Sequence, residues 1–214
     1  MTSWRRFVTV GFVVVSSGVT ITQRDVMAVE EAGYSIIEKE KGFELRQYES
    51  HIVAETVLEG GFDEVGNEGF RRLYQYISGN NRKRQSISMT APVSQEVSSE
   101  KIAMTAPVGQ ERMGGQWRIT FVMPLRYMME TLPEPLDARV ELKRVPGRLM
   151  AALRYSGTWS RKRYEERKDQ LLELIEKRGL RSVGEPVFAR YNSPYMPWFL
   201  RRNEVLIPVE WVGQ

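Results

Sequence analysis

The chain of 214 residues has no cysteine and one histidine, His51. Without cysteine there is no disulfide, thiolate metal site, cysteine nucleophile or lipoprotein anchor, and a lone histidine leaves no multi-histidine metal centre. A Gly-rich phosphate loop, a serine nucleophile motif and a carboxylate pair marked by its surroundings are missing too. Catalysis therefore has no named residue, and the chain reads as a non-enzyme. Charge of one sign is also scarce: 31 basic against 27 acidic residues give a net charge of +4. With the two signs interspersed, that is a solvated mixed surface and not a nucleic-acid footprint. What remains is 42% hydrophobic and 27% charged residues, an ordinary globular chain of one domain with enough length to bury a full core.

Residues 1–28 stand apart from that domain. Arg5-Arg6 makes a basic start, the stretch from Phe7 to Val15 is apolar apart from Thr9 and Gly11, and Val26-Met27-Ala28 fits a cleavage site with small flanking residues. The pattern predicts a secretory signal peptide over 1–28, a domain over 29–214 and a periplasmic or secreted product. The alternative is an uncleaved N-terminal membrane anchor, for which the apolar stretch is short of the ~20 residues a spanning helix needs. Cleavage removes three Arg and one Asp, so 28 basic and 26 acidic residues remain in a mature form, with no membrane span.

One pentapeptide occurs twice, Met89-Thr90-Ala91-Pro92-Val93 and Met104-Thr105-Ala106-Pro107-Val108, with matching tails Gln95-Glu96 and Gln110-Glu111. A proline cannot donate to a β-ladder, which confines it to an edge, a strand end or a bulge. The repeat predicts two antiparallel strands bent alike. Its methionines, soft and adaptable, give the second reading, a pocket lining.

Around the repeat, the period of apolar residues switches between strand and helix twice. Tyr34–Glu38, Phe43–Tyr48 and Ile52–Leu58 read as strands, followed by a helix from Phe62 to Ile77 with Gly79 at its C-cap. Trp117–Met123 is a strand and Pro133-Glu134-Pro135 a rigid loop. Ala138–Arg144 pairs with Leu149–Tyr155 across Pro146-Gly147. Ser160 caps a second helix that reaches Arg178, with Tyr164, Leu171, Leu172 and Ile175 on its buried stripe. Pro186–Tyr191 and Glu204–Val209 close the chain. The sum is an α+β fold built from a duplicated strand-helix-strand unit.

Read together with Trp117–Pro124, Pro133-Glu134-Pro135, Tyr155-Ser156-Gly157, Tyr191-Asn192-Ser193-Pro194-Tyr195 and Arg201-Arg202-Asn203-Glu204-Val205, the repeat resembles the SOUL heme-binding protein family. The resemblance runs from about Tyr34 to Val209. It implies a distorted antiparallel β-barrel flanked by two helices, and a function in binding heme or a related tetrapyrrole reversibly. Family members can carry a histidine inside the Arg-x-Tyr strand motif, where this chain has Arg46-Gln47-Tyr48, so strong iron ligation is not expected from that strand.

Under this resemblance a heme is held by burial of its macrocycle and by cations at its propionates. Arg71 and Arg72 supply cations, as does the Arg82-Lys83-Arg84 run; the arginine fork suits a carboxylate. Phe70 and Tyr74 on the first helix, with Tyr191, Tyr195, Met196, Trp198 and Phe199 in the last long loop, supply apolar surface. His51 is the one imidazole available as an axial ligand, although it follows the polar Glu49-Ser50, where a surface histidine is commonplace. Arg201-Arg202-Asn203-Glu204 reads either as an anion site or as a hydrogen-bonded knot. The alternation of Val205 and Ile207 against Glu204 and Leu206 puts Arg202 beside Glu204 and favours the knot. The competing function is a carrier or protein-interaction module for other apolar or amphipathic small molecules, which uses the same residues.

Overall fold

The computed structural model describes residues 29–84, 98–193 and 195–213. Strands β1 (Tyr34–Lys39), β2 (Phe43–Tyr48) and β3 (His51–Leu58) lead into helix α1 (Phe62–Ile77). Then come β4 (Asn81–Arg82), β5 (Val108–Met113), β6 (Gln116–Val122), β7 (Glu134–Pro135), β8 (Glu141–Val145) and β9 (Arg148–Tyr155). Helix α2 (Arg161–Lys177), β10 (Leu180–Ser182), β11 (Val187–Arg190), a 3-10 turn (Trp198–Leu200) and β12 (Asn203–Trp211) complete the chain. Ser160 caps α2 as its sequence position predicts, its side chain accepting from the Arg163 amide. Gly79 follows α1 at φ 122°, a conformation that favours glycine.

Ten strands form one curled antiparallel sheet in the order β1-β2-β9-β12-β11-β5-β6-β3-β8, with β10 beside β12, while β4 pairs with β7 in a separate two-stranded sheet. Between β2 and β8 this order has an internal symmetry. Exchanging β2 with β8, β3 with β9, β5 with β11 and β6 with β12 reproduces it in reverse, and also exchanges α1 with α2. The duplicated unit predicted from sequence is thus two halves joined at the β11–β5 pair, where Val187 faces Glu111 and Arg190 faces Val108. Each half is open alone; together they make a half-barrel with a helix on the outside of each side.

Two expectations from sequence are corrected. Ala138–Arg144 and Leu149–Tyr155 do not pair across Pro146-Gly147: β8 pairs with β3, and β9 lies between β2 and β12. The short Pro146-Gly147 link instead crosses between distant parts of the curled sheet, as Glu49-Ser50 does between β2 and β3. The two links touch, because a Cβ on Gly147 would stand 2.8 Å from the Tyr48 carbonyl oxygen. The second Met-Thr-Ala-Pro-Val copy is not a strand over its length. The ladder starts at Val108, directly after Pro107, which has no N–H to give. The first copy lies outside the described residues, as does the predicted signal peptide.

Alternation along each strand separates two faces. Outward, Phe43, Leu45, Leu153, Val205 and Ile207 pack with Tyr164, Leu171 and Ile175 of α2. Ile52, Ala54, Ile119 and Phe121 pack with Leu73, Tyr76 and Ile77 of α1. Each large side chain among them contributes roughly 1.5–3 kcal/mol by leaving water. Helix α1 lies close on β6 because Gly69 carries no side chain; a Cβ there would stand 2.7 Å from Ile119 Cβ. Inward, Tyr48, Val122, Met150, Ala152, Ala189 and Leu206 form a third apolar cluster with Ala32. The segment before β1 is held across this inner face by the Ala106 amide, which donates to the Glu30 carbonyl at 2.8 Å.

Candidate functional site

The inner face divides into a closed part and an open part. The closed part centres on Glu204, fully buried on β12. Arg46 of β2 donates to it from both Nη atoms at 2.6 and 3.0 Å, Tyr191 Oη donates at 2.8 Å and Arg202 Nε at 3.0 Å. Arg202 also reaches Glu31 at 2.7 Å, and the Arg46 guanidinium stands over the Tyr34 ring at 4.5 Å. Burial alone raises the Glu204 pKa, but the hydrogen bonds and charge of Arg46 outweigh it and hold the carboxyl below its ordinary value. This is the knot foreseen for Arg202 and Glu204, with Arg46 as its main partner. Asn203 and Arg201 point elsewhere: Asn203 accepts from Trp159 Nε1 at 2.8 Å, and Arg201 donates to the Met196 carbonyl at 2.7 Å.

The open part is a cavity of about 320 Å³, at the small end of the range for ligand pockets. Val53, Val122, Met150 and Leu206 give it an apolar floor, and His51, Arg144 and Arg148 stand among its lining residues. Two carboxylates there, buried Glu55 and partly buried Glu111, are already matched. Glu55 meets Lys143 at 2.6 Å and Arg118 at 3.5 Å, and Glu111 meets Arg118 at 3.2 Å. Burial raises the Glu111 pKa despite the neighbouring Arg118 charge. Among the described residues the guanidinia of Arg144 and Arg148 form no ion pair, so the lining carries surplus positive charge. His51 Nδ1 lies 2.9 Å from the Glu49 carbonyl oxygen, which can only accept, so this nitrogen is the donor.

The residues singled out from sequence fall into separate places. His51 lines the cavity, whereas Phe70 and Tyr74 lie on α1, on the other side of the sheet. There the Phe70 ring meets Phe121 edge-on at 5.4 Å and stacks on half-exposed Tyr74 at 5.9 Å. Arg71 is exposed and pairs with Glu68. Arg72 is buried, donating to Thr56 Oγ1 at 2.8 Å, and so braces α1 against β3. Tyr191 belongs to the knot.

The last long loop is the most exposed apolar feature. Tyr195 is 94% exposed, and Trp198, Phe199 and Leu200 are each more than half exposed. Pro197 starts the 3-10 turn that presents them, its carbonyl accepting from the Leu200 amide at 2.9 Å. The Trp198 and Phe199 rings meet edge-on at 5.6 Å. Arg201, tied to Met196, also stands 4.5 Å from the Trp159 ring centre. Flat apolar surface beside a cation suits the body and a carboxylate of a tetrapyrrole; the imidazole of His51 is not part of this surface. Sequence reading missed Trp159 and the cavity carboxylates Glu55 and Glu111. The strand period carried a signal for the carboxylates, since both share a face with apolar neighbours.

Solved structures share the fold, three of them as follows. The C-terminal domain of EcmrR is 11% identical, with 84% of this chain and 99% of that chain covered at a TM-score of 0.55. A hydrolase from Listeria innocua is 16% identical, with 81% and 94% covered at 0.53. An uncharacterized conserved protein from Listeria innocua is 14% identical, with 80% and 93% covered at 0.54. At such identities the likeness concerns architecture alone. No curated protein sequence matches the chain. The model of the SOUL heme-binding protein family matches residues 29–208, almost the whole described chain, and the protein is a member of that family.

Proposed function

We propose that this protein is an exported domain that binds heme or a related tetrapyrrole reversibly and performs no chemistry on it. The observation that carries this reading is the exposed loop of Tyr195, Met196, Trp198 and Phe199, held beside Arg201 in a chain of a heme-binding family. Contiguous apolar side chains of this size on a surface mark a binding region. Affinity then comes from apolar contact and from cations at the propionates, with no strong axial ligand. The chain has no cysteine and one histidine, and this reading assigns no residue a nucleophilic or general acid–base role. No helix among the described residues is long and apolar enough to cross a membrane, and the basic, apolar start of the sequence supports export. Titration with hemin followed by visible absorption tests the reading: a saturable Soret shift at micromolar protein supports it, and an unchanged spectrum refutes it.

A second reading is favoured by the inner cavity. Its apolar floor and the guanidinia of Arg144 and Arg148, which form no ion pair among the described residues, suit a small amphipathic molecule with an anionic head, so that the half-barrel acts as a carrier. Competition separates the two, because a ligand of the cavity leaves hemin bound at the exposed loop.

A further inference from the structure

Five buried side-chain polar atoms among the described residues lack a hydrogen-bond partner, and three of them belong to residues that neighbour one another on the outer face: Tyr155 Oη, Arg167 Nε and Arg190 Nε. Sheet register sets the arrangement. Tyr155, Asn203 and Arg190 stand side by side on β9, β12 and β11, so the tyrosine and the arginine flank Asn203 on the same face. The Asn203 side chain is committed to Trp159 and to the Gly157 carbonyl, and so satisfies neither flank. Arg167 comes from α2, its guanidinium 5.9 Å from the Tyr155 ring centre.

Among the described residues none of the arginines here forms an ion pair. Arg190 donates to Gln110 at 3.0 Å, Arg167 to Gln170 at 2.8 Å and the neighbouring Arg163 to the Ser156 carbonyl at 3.4 Å, all neutral acceptors. The Arg190 guanidinium is packed among the Phe188, Trp159 and Phe62 rings at 4.9, 5.1 and 5.9 Å. Burial pulls its pKa down to about 10, and the charge of Asp63 offsets this only in part. Tyr155 is only 7% exposed. Buried donors in native proteins are nearly always satisfied, so such a cluster needs a partner, an ordered water or a ligand group.

We propose that Tyr155, Arg167 and Arg190 form a binding site for a ligand oxyanion, a carboxylate or a phosphate. The phenol and the two Nε–H groups are its donors, and Arg163 adds charge. Charge-assisted hydrogen bonds from guanidinium are the strong ones, and an anion here satisfies three orphaned donors at once. The site adjoins the exposed aromatic loop through Trp159, whose ring lies near both Arg190 and Arg201. One source of the oxyanion is therefore a carboxylate of a ligand lying on that loop, a form that rests on the tetrapyrrole reading. The other source is a free anion in solution.

The test uses the full chain with Tyr155→Phe and Arg167→Gln, melted in inorganic phosphate at constant ionic strength and titrated with hemin and with hemin dimethyl ester. Phosphate is expected to raise the melting temperature of the unaltered protein saturably, with about tenfold or greater weakening in each variant. Ligand-free Tyr155→Phe is expected to melt no lower than the unaltered protein, since it removes a buried hydroxyl that has no partner. Preference for hemin over its ester that disappears in the variants identifies a tetrapyrrole carboxylate. Equal binding of acid and ester, with the phosphate response kept, identifies a free oxyanion. If hemin fails to bind but phosphate acts as described, the tetrapyrrole reading falls and the oxyanion site stands. The proposal is overturned if phosphate and hemin act on the variants as on the unaltered protein, or if the unaltered protein responds to neither.

Discussion

Arg46 and Glu204 lie 158 residues apart in sequence and meet in a two-bond fork on the inner face of the half-barrel. Their strands are not neighbours, for β9 runs between β2 and β12. The register places Arg46 opposite Met150 and Glu204 opposite Arg154, so Ala152 is the residue midway beneath the fork. Its small side chain leaves room for the ion pair to cross. The pair therefore ties the first strands to the last across the centre of the sheet.

Glu204→Gln is expected to destabilise the fold by about 3–5 kcal/mol, the usual cost of removing one partner from a buried ion pair. The Arg46 and Arg202 guanidinia would then face a neutral amide, each left with only its outer carboxylate, Glu44 and Glu31. Urea denaturation measures this. A loss below about 1 kcal/mol would mean that the fork is a by-product of packing and not a fastening.

The same carboxyl sets an acid limit. Glu204 titrates below its ordinary value of 4.5 in the folded protein, because the Arg46 contacts outweigh burial. A group depressed in this way contributes stability that is fully present above the unfolded value and is lost as pH falls through the folded one. Asp137, pulled down to about 2 by its hydrogen bond from Arg139, acts in the same direction, though it is too exposed to weigh heavily. Melting temperature should fall steadily as pH drops from about 4.5 toward 2, and Glu204→Gln should flatten that slope. An equal slope in the variant places the acid sensitivity elsewhere.

Gly69→Ala sets two effects of opposite sign against each other. Alanine gains about 1 kcal/mol of helix propensity over glycine. The added Cβ, however, would stand 2.7 Å from Ile119 Cβ, an atom fixed to the β6 backbone that cannot swing away. Overpacking of a core costs typically ~1–3 kcal/mol, so net destabilisation is expected on urea unfolding. A stabilised variant would show that α1 can lift off the sheet at little cost.

Most of the fold is readable along the chain because apolar period, caps and turn residues are local. The α1 and α2 stripes and the Ser160 cap follow directly from spacing. Pairing is different: Pro146-Gly147 has the residues of a tight hairpin, and only the curl of the whole sheet makes it a crossing between β8 and β9. The site divides in the same way. Arg202 beside Glu204 follows from alternation within one strand, whereas Arg46 joins them only after β9 has been inserted between β2 and β12. Phe70 and His51 share no face, which cannot be known before β3 and β6 are paired. Trp159 escaped notice because it precedes a helix, in a segment with no period to read.

Export gives a prediction independent of the fold. Val26-Met27-Ala28 predicts a mature terminus at Val29. Mass spectrometry of protein from its native host should find that terminus on most molecules. A predominant Met1 or Thr2 terminus would instead favour the uncleaved anchor.

The manner of heme binding separates the exposed loop from the cavity. Trp198 presents its ring to solvent, and covering such a side chain contributes at ~25 cal/mol per Å². Removing it should then cost on the order of 1.5–3 kcal/mol of binding, which is ~10-fold or more in affinity. His51 lines the inner cavity, on the opposite face of the sheet from Phe70 and Tyr74. Trp198→Ala is therefore expected to weaken hemin binding more than His51→Ala does, and iron-free porphyrin should bind about as well as hemin. Absorption titrations of the two variants decide it. If His51→Ala abolishes the Soret shift while Trp198→Ala binds normally and the iron-free ligand fails, the iron is coordinated at the cavity mouth, and affinity comes from that bond in place of the aromatic surface.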